Sequence, residues 1–167
     1  MNISEPEIFS RKEDAPSEAR VVDAFTGALQ ELFFIENPKL KKGRAETKKS
    51  LNKFLRETPS GVWIYYPWKE VLVHSLPENL YFKLRTARNR NLINTAEQDN
   101  YRKIKIGLAG LSVGSSILRS LVISGGPKFL KISDPDIIEV SNLNRLAAAL
   151  PDAGKNKCEV AARAVWE

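Results

Sequence analysis

A loop of small residues in the C-terminal half of the chain has the composition of a phosphate-binding turn. Residues 110–115 (GLSVGS) follow an apolar segment and precede a segment with helical spacing of apolar residues. Such a loop brings backbone N–H groups and the positive end of a helix to one point, which suits a phosphate. On the G-x-G-x-x-G pattern of dinucleotide sites, Gly110 matches the first glycine, but Ser112 and Ser115 occupy the other two positions. The loop therefore fits either a nucleotide site or an ordinary tight turn.

An acidic residue stands where a ribose-binding carboxylate is expected. Asp134 follows the apolar residues 129–133 and lies 24 positions after Gly110, close to the spacing of about 20 that is usual for this role. A carboxylate at the end of the second strand can accept hydrogen bonds from ribose hydroxyls. Together with the loop, Asp134 makes an adenine nucleotide the natural ligand.

Three polar residues farther along the chain favour a triphosphate. Asn142 and Arg145 form an Asn-x-x-Arg turn after the acidic segment, and Lys157 lies where another helix opens. Arginine contacts phosphate oxygens as a two-pronged donor, whereas lysine acts as a mobile point charge. A redox dinucleotide has no obvious use for these donors.

The loop and the carboxylate require a strand–helix–strand unit to position them. The sequence predicts strands over 104–109 and 129–133 and a helix over 116–124. Such a βαβ unit has parallel strands and a right-handed crossover. Before it, a short helix is predicted over 94–103, with Asn94 or Thr95 as its cap and Gln98 as the capping-box partner.

The N-terminal half is predicted to be a small α+β module behind a polar lead. Apolar spacing predicts helices over 17–35 and 45–56, followed by a third helical stretch that starts at Glu78 and runs to residue 93. Aromatic and β-branched residues predict a hairpin over 62–74. The proposed division of the chain is a polar lead at 1–17, an α+β module at 18–83 and a nucleotide-binding segment at 84–167.

Composition excludes several classes of protein. The 167 residues carry a net charge of +6, and no apolar run approaches the roughly 20 residues of a membrane span. Eight basic residues and one acidic residue lie from Lys39 to Arg56. This stretch fits attraction of phosphates or of an acidic partner protein, and equally a solvated linker and helix face, but no interleaved aromatics support nucleic-acid binding. The single cysteine, Cys158, indicates a reducing cytoplasm, and we expect it to be a packing residue. His74 lacks companions at metal-ligand spacing.

Residues 134–145 (DPDIIEVSNLNR) resemble the D-x-D-x-I/V-x-x-S-N-L-x-R signature of the ThiF/MoeB/HesA superfamily, which is related to the adenylating half of ubiquitin-activating enzymes. The small-residue loop at 110–115 aligns with the loop of the superfamily, with no gap needed between this loop and the signature. Residues 88–93 (RNRNLI) resemble the superfamily's R-x-x-R-x-I/L stretch ahead of the first strand. The resemblance covers about residues 85–167 and implies a Rossmann-like parallel sheet, truncated here after about two strands.

The resemblance also implies a set of nucleotide-binding residues. They are Gly110, Ser112, Gly114, Asp134, Asp136 and Asn142. Within this set, Asp134 would hold the ribose hydroxyls and Asn142 would face the triphosphate. The implied cofactors are ATP and Mg²⁺.

Three basic residues take catalytic roles by the same resemblance. Arg145 would face the triphosphate, Lys157 would neutralise charge as pyrophosphate leaves, and Arg90 would be an arginine finger offered to the neighbouring subunit of a homodimer. Positioned cations of this kind act where charge builds up at a transferring phosphorus. The implied reaction is attack by a carboxylate, at the C-terminus of a ubiquitin-like or sulfur-carrier protein, on the α-phosphate of Mg-ATP. It yields an acyl-adenylate and pyrophosphate.

The superfamily places a magnesium-binding aspartate on a later strand than those predicted here. We therefore expect this chain to be the N-terminal portion of a longer enzyme and to be inactive alone. Two alternatives remain: an NAD(P)-linked oxidoreductase that uses the same βαβ unit, and a non-catalytic scaffold with or without nucleotide. Substitution of Arg145 or Lys157 separates an adenylating enzyme from both alternatives, since only an adenylating enzyme should lose pyrophosphate exchange.

Overall fold

The computed structural model describes residues 3–167, which fold mainly as two compact units, Ser4–Ala87 and Arg88–Glu167. Each unit combines helices with a β-sheet. No helix in the described part of the chain is both long and apolar enough to cross a membrane.

The N-terminal unit is built on a four-stranded sheet with the order β1-β3-β4-β2. Its strands are β1 (Glu7–Phe9), β2 (Arg20–Asp23), β3 (Val62–Tyr66) and β4 (Val71–Ser75). Strands β3 and β4 form an antiparallel hairpin, β1 extends it antiparallel to β3, and β2 runs parallel to β4. The turn between β3 and β4 ends at Glu70, whose left-handed backbone (φ 52°) reverses the chain.

Three helices accompany this sheet: α1 (Phe25–Glu36), α2 (Ala45–Glu57) and α3 (Glu78–Arg85). Helix α1 supplies buried Leu29, Leu32 and Phe33 to the core of the unit. Helix α2 packs against α1 through Phe54, whose ring centroid lies 5.4 Å from that of Phe33. The basic residues of the 39–56 stretch are all exposed.

Two features of the N-terminal unit differ from the expectations drawn from sequence. The helix predicted over 17–35 was wrong in its first part, because residues 20–23 form β2 and the helix begins only at Phe25. The carboxylate of Asp23 accepts the Phe25 N–H at 3.0 Å and marks this start. The polar lead at 1–17 contains β1, a three-residue strand that pairs with β3.

The C-terminal unit contains the strand–helix–strand arrangement. Its elements are α4 (Thr95–Lys103), β5 (Lys105–Ala109), α5 (Gly114–Ile123), β6 (Phe129–Ser133) and α6 (Lys157–Trp166). Strands β5 and β6 pair in parallel, with Gly107 opposite Lys131, and α5 connects them. The prediction of an α/β, Rossmann-like unit with two parallel strands is confirmed.

The start of α4 corrects a detail of the sequence analysis. The capping box is formed by Asn94 and Glu97, not by Thr95 and Gln98. Gln98 is buried instead, and its side-chain amide donates to the carbonyl of Gly125 at 2.9 Å. The predicted helical stretch from Glu78 to 93 also breaks, since α3 ends at Arg85 and a 3-10 turn covers Asn89–Asn91.

Candidate functional site

The glycine loop between β5 and α5 depends on two glycines for different reasons. Gly110 has a φ of +85°, and a Cβ atom added there would meet nothing within 4 Å, so its conformation and not crowding requires glycine. Its N–H donates to the carbonyl of Ser133 at 2.7 Å. Gly114 is buried at the start of α5, where a Cβ would lie 3.1 Å from a methyl carbon of Leu108. Gly114 thus allows α5 to pack closely on β5.

Asp134 joins the end of β6 to this loop. One carboxylate oxygen (Oδ2) accepts the backbone N–H of Leu111 at 2.6 Å, and the other (Oδ1) accepts that of Asp136 at 2.9 Å. The side chain is only 5% exposed. Because each carboxylate oxygen has further lone pairs, the carboxylate can still accept hydrogen bonds from a ligand.

Opposing effects act on the charge of Asp134. Burial by itself raises the pKa of its carboxyl group, but the backbone N–H groups of Leu111 and Asp136 and the ammonium of Lys157 act in the other direction. The hydrogen bonds and the cation prevail, so the pKa lies below its ordinary value of 3.8. Asp134 is therefore an anion at neutral pH.

Lys157 is a buried cation shared by two carboxylates. Its Nζ donates to Oδ2 of Asp136 at 2.7 Å and lies 3.8 Å from Oδ1 of Asp134. The hydrogen bond that Lys157 donates to Asp136 and the charges of both aspartates raise the pKa of Lys157, while burial and the nearby Arg145 lower it by less. The lysine is 8% exposed, whereas Asp136 is 65% exposed. The pair places a charged ammonium beside the end of β6.

The Asn-x-x-Arg segment forms a 3-10 turn over Val140–Asn144. Asn142 is buried, and its side-chain carbonyl accepts the N–H of Glu139 at 3.1 Å, so this side chain stabilises the turn. Arg145 follows the turn and reaches the glycine loop, where its Nε donates to the hydroxyl of Ser112 at 3.3 Å. The segment and the loop, 33 residues apart, therefore meet.

A chain of contacts brings most of the candidate residues together at the ends of β5 and β6. It comprises Ser112, Asp134, Asp136, Arg145 and Lys157, with Gly110 at the base of the loop. Arg90 lies apart from these contacts, exposed in the turn Asn89–Asn91, and its side chain makes no hydrogen bond or ion pair with any residue that the structure describes.

One contact at this site was missed by the sequence analysis. The backbone N–H of Asp134 donates to the sulfur of Cys158 at 3.1 Å, and the thiol in turn lies 3.5 Å from the carbonyl of Asp134. Cys158 therefore holds the backbone of the central aspartate. No sequence motif pointed to this contact, and the adjacency of Cys158 to Lys157 was its only sign.

The residues present suit a nucleotide and the phosphates that it carries. Among residues 3–167 no group of three or more His, Cys, Asp and Glu could hold a metal ion. An ion that arrives with ATP needs only one or two protein carboxylates besides the phosphates, and exposed Asp136 offers one. The fixed carboxylate of Asp134 suits ribose hydroxyls, while Arg145 and Lys157 suit phosphates.

The parallel strands, the glycine loop and the carboxylate at the end of β6 define a Rossmann-like βαβ unit. The ThiF family model matches residues 86–167, just under half of the chain, and this segment belongs to the ThiF family. The predicted superfamily is therefore confirmed.

Three relatives illustrate the similarity. The chain is 39% identical over 105 residues to the uncharacterized protein MT1398 of Mycobacterium tuberculosis, covering 63% of this chain and 15% of that one. It is 44% identical over 71 residues to the NEDD8-activating enzyme E1 catalytic subunit of Arabidopsis thaliana, covering 42% and 15%. It is 32% identical over 126 residues to the ubiquitin-activating enzyme E1 1 of Candida albicans, covering 66% and 12%.

The chain thus spans 15% or less of the length of each of these three relatives. No solved structure matches the chain significantly. These comparisons support an activating-enzyme family and give no support to the NAD(P)-linked oxidoreductase.

Proposed function

We propose that the protein containing this chain is an ATP-dependent adenylyltransferase that activates a carboxylate as its acyl-adenylate. The observation that carries the proposal is the contact between the Asp134 carboxylate and the Leu111 N–H, at 2.6 Å. It joins a ribose-binding anion to a small-residue loop, and Arg145 and Lys157 lie beside it. A fixed acceptor for ribose next to two cations suits a nucleoside triphosphate.

The binding half of the proposal assigns the two ends of the nucleotide to different residues. Asp134 accepts the ribose hydroxyls, and the open space at Gly110 admits the nucleotide to the loop backbone. Asn142 maintains the turn that carries Arg145, which binds the phosphates. Asp136, the more exposed of the two aspartates, is the carboxylate available to the Mg²⁺ that accompanies ATP.

The chemical half requires positive charge at the phosphates. An oxygen of the substrate carboxylate forms a bond to the α-phosphorus, while the bond from this phosphorus to the oxygen bridging to the β-phosphorus breaks. The products are an acyl-adenylate and pyrophosphate. Negative charge grows on the departing pyrophosphate, where Lys157 and Arg145 stabilise it. Lys157 suits this role because its pKa is raised and it stays protonated at neutral pH.

The partner and the subunit arrangement extend the same proposal. Two relatives are named as NEDD8- and ubiquitin-activating enzymes, which supports the C-terminus of a ubiquitin-like protein as the carboxylate. Arg90 is proposed as an arginine finger that completes the ATP site of a second subunit. In support, its turn is fixed by Asn89, whose side chain donates to Gln98 at 2.8 Å and to the carbonyl of Ser124 at 3.0 Å.

Calorimetric titration with Mg-ATP tests the binding half, with NAD as the comparison ligand. We expect ATP but not NAD to bind, and Asp134→Ala to weaken ATP binding at least about tenfold, as loss of hydrogen bonds to a charged group does. Asp152→Ala is the matched control, because Asp152 is also a carboxylate with a lowered pKa but bonds Lys155 and Ala149. Binding of NAD alone, or of neither ligand, would contradict the proposal.

Exchange of labelled pyrophosphate into ATP tests the chemical half in the full-length protein, with ubiquitin and NEDD8 as the carboxylate substrates. An adenylating enzyme should lose exchange in Arg145→Ala and Lys157→Ala. ATP binding without exchange would instead favour the non-catalytic scaffold.

A further inference from the structure

Only some of the N–H donors of the Arg145 guanidinium have hydrogen-bond partners. Its Nε donates to the hydroxyl of Ser112 at 3.3 Å, and its Nη1 donates to the Asn144 side chain at 3.0 Å and to the carbonyl of Ser141 at 3.4 Å. An arginine has five N–H donors. The two donors on Nη2 have no hydrogen-bond partner among the residues that the structure describes. The side chain is thus held at three donors and open at two.

These three contacts come from two different segments. Ser141 and Asn144 belong to the turn that precedes Arg145, and they would accompany it in any arrangement of that turn. Ser112 alone belongs to the glycine loop, 33 residues away. The hydroxyl of Ser112 is therefore the contact that fixes the guanidinium relative to the loop.

The loop itself holds Ser112 in place. The Ser112 carbonyl accepts the hydroxyl of Ser115 at 3.1 Å, within the first turn of α5, and the preceding residue, Leu111, donates its N–H to Asp134. Ser112 is half-buried, whereas Arg145 is exposed. A half-buried acceptor thus holds an exposed cation. The second glycine of the dinucleotide pattern, whose place Ser112 takes, has no side chain with which to do this.

We propose that Ser112 is a positioning residue for Arg145: its hydroxyl orients the guanidinium across the glycine loop and leaves Nη2 for a phosphate group. The inference rests on the proposed function, in which Arg145 binds the phosphates of ATP. Fixing the guanidinium before the ligand arrives reduces the rotamer freedom lost on binding, and so strengthens binding without a contact between Ser112 and the nucleotide.

The test compares ATP affinities of the chain and its variants by calorimetry. Ser112→Ala should weaken ATP binding about 5- to 10-fold, the effect of one ordinary hydrogen bond, and Ser112→Thr should restore most of the affinity. Ser120→Ala is the matched control, because the Ser120 hydroxyl donates to the carbonyl of Ser116 in α5, and the Ser120 carbonyl accepts the hydroxyl of Ser124 just after this helix. It should bind ATP like the unmodified chain.

A double-mutant cycle separates positioning from a direct contact with ATP. In an Arg145→Ala background, Ser112→Ala should cause no further loss, because the group that it orients is gone. In the ligand-free chain, NMR should show that solvent exchange of the Arg145 Nε proton accelerates in Ser112→Ala and is unchanged in Ser120→Ala.

The outcomes distinguish this inference from the proposed function. If the unmodified chain binds ATP but Ser112→Ala binds it equally well, or the two substitutions add independently, the positioning role is refuted and the nucleotide site stands. If neither the unmodified chain nor any variant binds ATP, both proposals fail. Unchanged Nε proton exchange in Ser112→Ala would also refute the positioning role.

Discussion

The ammonium of Lys157 lies 2.7 Å from Oδ2 of Asp136 and 3.8 Å from Oδ1 of Asp134, so one buried cation serves two carboxylates of very different exposure. Lys157 is the first residue of α6, and the aspartates follow β6, so these contacts join the helix to the end of the strand. The backbone N–H of Lys157 also donates to the carbonyl of Asp136, at 3.0 Å. If Asp136 turns toward a ligand, Asp134 still balances the charge of the lysine.

Removing this cation should change the acidity of the central aspartate. In Lys157→Met the pKa of Asp134 should rise, because burial still disfavours its anion while the neighbouring charge is lost. Titration of the side-chain carboxyl carbons by NMR measures this directly. Lys155→Met is the control: Lys155 bonds Asp152 at 2.8 Å and lowers its pKa, so this substitution should raise the pKa of Asp152 and leave that of Asp134 unchanged. A pKa of Asp134 that stays the same in Lys157→Met would contradict the ion pair.

The lowered pKa values of Asp134 and Asp152 predict a loss of stability in acid. A carboxyl group whose pKa is lower in the folded state binds protons more weakly there than in the unfolded state, so it stabilises the fold above its unfolded pKa. This contribution disappears as the pH falls below about 4 and through the folded pKa. Urea unfolding at a series of pH values should show the free energy of unfolding falling over this range. The fall should be smaller in Asp134→Asn, and an equal fall would contradict the prediction.

The buried amide of Gln98 should matter to the stability of the C-terminal unit. Its Nε2 donates to the carbonyl of Gly125 at 2.9 Å, and its Oε1 accepts from Asn89 at 2.8 Å. Gln98→Leu should lower the free energy of unfolding by about 1–3 kcal/mol, because it removes one partner from each of these buried bonds. Gln30→Leu changes an exposed glutamine of α1 and should stay within about 0.5 kcal/mol. Chemical denaturation of both variants decides, and equal effects would refute the role of the amide.

Two glycines of the N-terminal unit should respond to alanine in opposite directions. A Cβ at Gly61 would lie 2.2 Å from the carbonyl oxygen of Ser75, so Gly61→Ala should destabilise the unit by more than about 2 kcal/mol. A Cβ at Gly27, inside α1, would meet nothing within 4 Å. Gly27→Ala should therefore stabilise the helix by about 0.5–1 kcal/mol. Thermal unfolding should show a lower melting temperature for Gly61→Ala and a higher one for Gly27→Ala. Shifts of both variants in the same direction would contradict the expectation.

The errors of the sequence analysis share a physical cause. Val21 and Val22 fit the apolar spacing of a helix, but their β-branched side chains also suit a strand, and pairing with Leu72 and Val73 selects the strand. At α4, two overlapping capping boxes fit the local spacing. Burial of Gln98 against Gly125 removes one of them. In both places a contact distant in sequence chose between locally equivalent structures.

The sequence by itself was enough to establish the βαβ unit, the ThiF family and the candidate residues of the loop and the acidic segment, because these signals are local. Apolar runs, small residues at a turn and a twelve-residue signature can be recognised within one stretch of chain. Only the tertiary structure decided that Ser112 meets Arg145, that Cys158 holds Asp134 and that Lys157 is shared by two aspartates. The partners in these contacts lie 21 to 33 residues apart. Their meeting depends on how β6, α6 and the turn before Arg145 pack together, and no local pattern records that packing.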